Sequence, residues 1–150
     1  MHLKIESLLD RIGLKILKLL QRNGRLSYSQ IGRAVGLSAP AAAERVKKLE
    51  DAGIIKGYHA VVDPDQLGQA VPAFIHLSAE SVHYPRVKAL ASTLSEVVAC
   101  HHVSGDEAFI IKVRTGSVSE LEQLVKKFSV YGRTKTSVIL STSVDKSINH

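Results

Sequence analysis

From Leu8 to Gln21 the apolar residues Leu9, Ile12, Ile16, Leu17, Leu19 and Leu20 recur at helical spacing, and NGR at 23–25 ends the pattern at Gly24. This predicts a first helix. Ser27 then stands as an N-cap before YSQIGRAVG, in which Ile31, Ala34 and Val35 share a face and Gln30 completes a capping box. A short second helix is predicted to end at Gly36. Ser38 caps a third helix, with Pro40 tolerated in its first turn because the backbone nitrogen there has no intrahelical acceptor to lose. It runs to about Asp51, and Gly53 is its C-terminal glycine. On this helix Ala42, Val46 and Leu49 form the buried stripe, which leaves Ala39, Ala41, Glu44, Arg45 and Lys48 outward.

After Gly53 the pattern changes. IIKGYHAVVD is rich in β-branched residues, with Tyr58, Ala60 and Val62 alternating against His59, Val61 and Asp63, and predicts a strand. DPDQLGQAVP, punctuated by Pro64, Gly68 and Pro72, reads as a boundary between two segments, 1–63 and 64–150. Beyond it come a strand in AFIHLSAE, a helix in YPRVKALASTL with Val87, Leu90, Ala91 and Leu94 inward, and strands in VVACHHVSG and EAFIIKVRT. A helix in SVSELEQLVKKFSVYG, opened by Ser117 with Glu120 three residues on, and a strand in RTKTSVILSTSV complete the order β-α-β-β-α-β. The expected fold is α+β, a helix-turn-helix followed by a ferredoxin-like split βαβ domain.

Three helices with a short turn between the second and third match a helix-turn-helix, whose last helix enters the DNA major groove by its N-terminal end. The small side chains at the start of the third helix let the backbone approach base edges and touch thymine methyls, and Ser38 with the helix N-terminus can donate to a phosphate. Arg45 and Lys48 are candidates for phosphates or, for Arg45, a guanine edge. Charge is consistent with this. The net charge of +6 divides into +5 for residues 1–63 and +1 for 64–150, the asymmetry a phosphate-binding half needs, although a solvated basic surface would give it too.

The 150 residues are 45% hydrophobic and 23% charged, a globular composition sufficient for one domain or two small ones. No apolar run approaches the roughly 18 residues needed to cross a bilayer, and Lys4, Glu6, Asp10, Arg11, Lys15 and Lys18 interrupt the first twenty positions, so a cytoplasmic protein is expected. A single cysteine, Cys100, excludes an intrachain disulfide framework. Cys100, His101, His102 and His83 invite a metal reading, but adjacent strand residues point to opposite faces, and His2, His59, His76 and His150 share no ligand spacing with them. There is no nucleophile elbow and no glycine-rich phosphate loop, so neither enzyme, metal site nor cofactor is expected. SGDE at 104–107 joins two predicted strands as a tight turn, either a plain hairpin or a rim where backbone groups and Asp106 meet a small polar ligand.

Taken in order, LLDRIGLKILKLLQRNGR, IGRAVGLS, ERVKKLEDAGIIKGYHAVVDPDQLG, VSGDEAFIIKV and TKTSVILST resemble the leucine-responsive regulatory protein and asparagine-synthetase activator family, Lrp/AsnC or feast/famine regulators, of bacteria and archaea. The likeness runs from Leu9 to Val144. It implies a winged helix-turn-helix at the N-terminus and a ferredoxin-like, RAM-type oligomerisation and effector module at the C-terminus, joined by the strand at Tyr58 to Val62. It further implies sheets that pair into dimers and assemble into octamers, double-stranded DNA as partner, and an amino acid as effector. The residues it assigns to DNA are Ser27, Ser38, Ala39, Ala41, Glu44, Arg45 and Lys48; those it assigns to the effector, bound between dimers, are Ser104, Gly105, Asp106, Glu107 and Ala108. Leucine-type sensors of the family carry an acidic residue where this chain has Ala108, which leaves effector identity open. The competing expectation is a non-enzymatic small-molecule-binding oligomer whose N-terminal helices contact other proteins.

Overall fold

The computed structural model describes residues 7–144, which form two compact units divided between Val61 and Val62, with Val144 assigned to the first. His2, His150 and the outer ends of both predicted segments lie outside the described residues.

In the first unit α1 spans Arg11–Arg22, α2 Tyr28–Val35 and α3 Ala39–Asp51. Each begins on a side-chain cap that the chain supplies locally. Asp10 accepts from the Gly13 N–H (2.7 Å), Ser27 from the Gln30 N–H (3.2 Å) and Ser38 from the Ala41 N–H (3.4 Å), so donors at each helix start without an intrahelical acceptor are met. Ile16, Ile31, Ala42, Val46 and Leu49 form a buried core, with Ile12, Leu17, Leu20, Val35, Ile54 and Ile55 packed around it. Each large side chain so buried contributes about 1.5–3 kcal/mol. Ala34, expected on the inner face of α2, is exposed: Ile31 and Val35, one turn apart, supply the contact on this eight-residue helix.

The turn from α2 to α3 depends on two glycines with different tasks. Gly36 takes a left-handed conformation (φ 77°) that ends α2. Gly32 is needed for space, because a Cβ there would stand 2.5 Å from the Leu37 carbonyl oxygen. At the far end of α3 the Gly53 N–H bonds to the Glu50 carbonyl (2.8 Å) and the Ile54 N–H to that of Leu49 (3.0 Å), which closes the helix and returns Ile54 to the core.

The strand predicted over 54–63, including its linking part Tyr58 to Val62, is not formed: these residues pair with no other strand among the described residues. Alternation alone does not make a strand, because its backbone groups need a ladder partner and this segment has none among the described residues. Ile54 and Ile55 join the helical core, while Val61 and Val62 stay 69% and 56% exposed.

The second unit is a four-stranded sheet with two helices, in chain order β1 (Val71–Ala79), a 3₁₀ turn (Ser81–His83), α4 (Tyr84–Thr93), β2 (Val97–His102), β3 (Phe109–Thr115), α5 (Val118–Ser129) and β4 (Gly132–Val138). The strands are ordered β2-β3-β1-β4 and each neighbouring pair is antiparallel, the expected ferredoxin-like arrangement. Ala73, Ile75 and Leu77 of β1 and Phe109, Ile111 and Val113 of β3 bury their side chains with Val87 and Ala91 of α4 and Leu121, Leu124 and Phe128 of α5. The alternate residues Phe74, His76, Ile110 and Lys112 lie on the other face, half-buried. The last strand is shorter than predicted. Ile139 donates a final bond to the Pro72 carbonyl (2.9 Å), β1 offers no partner beyond, and Leu140 is 94% exposed.

Candidate nucleic-acid interface and effector groove

The start of α3 is low in profile, as its sequence implies. Ser38, Ala39 and Pro40 are exposed and Ala41 and Ala43 half-buried, so no long side chain covers the first turn. The remaining DNA candidates divide. Glu44 is exposed and pairs with Lys48 one turn on (2.6 Å), an ion pair that lowers the Glu44 pKa. Ser27 is committed to its capping box: its N–H donates to Gln30 Oε1 (2.8 Å) while its hydroxyl oxygen accepts from the Gln30 N–H.

Arg45 is differently placed from the outward position expected of it. Its guanidinium donates to Asp10, whose other carboxylate oxygen caps α1, and its side chain is only 26% exposed. The Gly13 N–H and the Arg45 guanidinium together hold the Asp10 pKa below the ordinary aspartate value. Arg45 therefore braces α3 to the start of α1. Lys47, not singled out in the sequence, is exposed and has no ion-pair partner among the described residues, and Arg33 of α2 is likewise exposed and unpaired. Helical angle locates Lys47: Pro40, Glu44 and Lys47, at spacings of four and three, lie opposite the buried stripe.

In the second unit three chain segments meet at one end of the sheet. Pairing of Leu77 with Phe109 and of Ala79 with Gly132 brings the end of β1 beside the starts of β3 and β4. Between them lies an open groove of about 770 Å³ whose lining includes all five effector candidates, Ser104, Gly105, Asp106, Glu107 and Ala108. The tight turn is real: the Val103 N–H bonds to the Ala108 carbonyl (3.0 Å), and Ala108 is tied by its own N–H to Leu77 (2.8 Å). Gly105 has φ 120°, a conformation that side chains rarely adopt. Ala108 is 7% exposed and belongs to the core cluster, whereas Glu107 extends a carboxylate oxygen to 3.8 Å from His76 Nδ1.

The groove also takes Glu80, His83, Tyr84 and Tyr131, which sequence reasoning did not connect with the turn. The Tyr131 ring lies 5.9 Å from that of His83, and His83 Nδ1 is shielded from solvent without a hydrogen-bond partner. At the same end of the sheet His102 packs edge-on against Tyr84 at 4.9 Å, while Cys100, two residues earlier on β2, is half-buried and its thiol pKa is raised by that burial.

Residues 9–56 match the family described as winged helix-turn-helix DNA-binding, and residues 72–148 match the Lrp/AsnC ligand binding domain. The chain belongs to the Lrp/AsnC family. Among relatives of this Lrp/AsnC protein, the HTH-type transcriptional regulator YezC of Bacillus subtilis is 42% identical over 136 residues, which cover 90% of this chain and 96% of that one. The HTH-type transcriptional regulator LrpC of the same organism is 35% identical, with 89% and 92% covered. Among solved structures, LrpC of B. subtilis superposes with a TM-score of 0.85 at 35% identity, covering 91% of this chain and 97% of that one. The feast or famine regulatory protein of M. tuberculosis complexed with L-methionine gives 0.84 at 30% identity, with 93% and 97% covered. This Lrp/AsnC protein is accordingly a DNA-binding transcriptional regulator. No described helix is long and apolar enough to cross a membrane.

Proposed function

We propose that this regulator acts in the cytoplasm, docks the first turn of α3 in the DNA major groove, and answers to an amino acid held in the groove at the end of its sheet. The exposed, small-residue start of α3 carries the first part of the reading. Ala39 and Ala41 let the backbone close on base edges, Ser38 and the helix N-terminus meet a phosphate, and Lys47, Lys48 and Arg33 add phosphate contacts. Glu44 orients Lys48, and Arg45 fixes the attitude of α3 instead of reaching the DNA. Ser27 holds the first turn of α2 against the backbone it faces.

The protein assembles from dimers, each with two helix-turn-helix units that read half-sites about one helical turn, or a multiple, apart. Octamers built from such dimers would carry several units on one DNA. The groove lined by Ser104 to Ala108 is supported as the effector site by its place in the segment matching the ligand-binding family and by the methionine bound to a relative of the same fold.

The test is a footprint of the full-length protein upstream of its own gene, with and without mixed amino acids, over a range of salt. Phased protection that weakens steeply with salt, about 0.9 in log–log slope for each phosphate neutralised, supports the reading. A folded oligomer that protects nothing in any condition would instead favour a small-molecule-binding protein whose N-terminal helices contact proteins.

A further inference from the structure

Each unit fastens its own end of the segment that joins them. In the first unit Ile54 and Ile55 pack on the helical core, and three positions on the Tyr58 ring lies against the α1–α2 turn, where a Cβ on Gly24 would stand 3.2 Å from its Cδ1. The Tyr58 hydroxyl donates to Glu50 Oε1 (2.8 Å), near the C-terminal end of α3. One side chain thus ties the connector to the turn after α1 and to α3 together. In the second unit Arg114 of β3 donates from Nη1 to Asp65 Oδ1 and to the Gln69 carbonyl (both 3.3 Å), and a Cβ on Gly116 would stand 2.9 Å from the Gly68 carbonyl oxygen. Between the two fastenings His59 to Asp63 are exposed, and His59 to Val62 form no hydrogen bond or ion pair among the described residues.

We propose that Tyr58 is a positioning residue for DNA reading: by fastening the connector to Glu50 and to the α1–α2 turn, it fixes where the chain leaves the helix-turn-helix and so how firmly the two reading helices of a dimer are held to the spacing of their half-sites. This rests on the reading that dimers engage paired half-sites. Once one helix-turn-helix is bound, the second meets its half-site at a local concentration set by the length and stiffness of the chain between them, which falls as about the −3/2 power of length or more steeply. Releasing Tyr58 lengthens the free chain from 59–64 to 56–64, because Ile54 and Ile55 stay in the core. Length alone lowers the local concentration about twofold for each connector, and the lost direction of exit adds to that. The loss falls on the second contact only. A single helix-turn-helix keeps its core and its three caps, none of which includes Tyr58.

The full-length protein is titrated by fluorescence anisotropy with duplexes carrying one or two copies of the half-site defined by its footprint, the pair set either in phase or offset by about half a helical turn. Tyr58→Ala should bind the in-phase two-site duplex about fivefold more weakly than the native protein does, with one-site affinity unchanged and a smaller penalty for the offset pair. Tyr58→Phe, which keeps the ring but not the hydroxyl, should lose about twofold. Glu50→Gln, whose amide oxygen still accepts from Tyr58, should stay nearer the native ratio of two-site to one-site affinity than Glu50→Ala. Equal losses on the one-site and two-site duplexes, no loss on either, or a loss that accompanies dissociation of the oligomer in light scattering overturns the proposal and leaves paired reading standing. If the native protein gains nothing from a second half-site, paired reading fails and the proposal falls with it.

Discussion

Asp10 serves two helices with one side chain, since one carboxylate oxygen caps α1 and the other holds Arg45 of α3. Both partners favour the ionised form, so the folded-state pKa lies below the ordinary value of 3.8. A depressed folded pKa means that the contribution is complete above 3.8 and is lost as pH falls through the lower folded value. Melting curves between pH 2 and 6 should therefore show the native protein losing its advantage over Asp10→Asn at the acid end of that range; a constant gap would show that the carboxylate's charge is not what matters. Tyr58 titrates in the opposite sense. Its hydroxyl donates to Glu50 (2.8 Å), and desolvation with that bond raises its pKa to about 12, so its contribution is full below 10 and is lost between 10 and about 12. Phenolate absorbance should place one tyrosine about two units above an ordinary phenol, and Glu50→Gln should bring it back toward 10.

The turn between α2 and α3 is where an element's geometry depends on single atoms. Gly36→Ala meets nothing within 4 Å and is penalised only for its left-handed backbone, by about 1–2 kcal/mol. Gly32→Ala must push a Cβ against the Leu37 carbonyl, so the turn itself has to move and DNA affinity should fall with stability. Denaturant titration paired with a DNA-binding curve separates the two, and a Gly32→Ala protein as stable and as tightly bound as Gly36→Ala would show that the close approach is dispensable. These helices were legible in the sequence because their determinants are local: Ser27 with Gln30, Ser38 with Pro40, and the Ala42, Val46 and Leu49 stripe each act within one or two turns. The 54–63 segment carries the alternation of a strand without forming one for the complementary reason: alternation is local but a ladder partner is not. Nor could spacing reveal that Arg45 faces Asp10, 35 positions away, and so braces a helix it had been expected to project from.

At the scale of the whole molecule, Ser104 to Ala108 announced a turn, but the groove they border exists only because the sheet order sets them beside Glu80, His83 and Tyr131. Each unit has its own core, the helices around Ile16, Ile31 and Leu49 and the sheet around Ile75, Phe109 and Phe128, so lesions in the two sites should separate. Lys47→Ala removes an exposed cation from α3 without touching either core, and should reduce the salt slope of DNA binding by about one for each protomer bound, with ligand titration unchanged. Gly105→Val forces a β-branched residue into φ 120° at the groove's rim, far from any helix of the first unit in sequence, and should abolish ligand binding while ligand-free DNA affinity holds. Binding isotherms of both variants for both ligands decide the matter. If Gly105→Val also lost its ligand-free grip on DNA, the turn would be needed for the assembly that presents the helices, and the groove's rim would have to be counted among the oligomer's contacts.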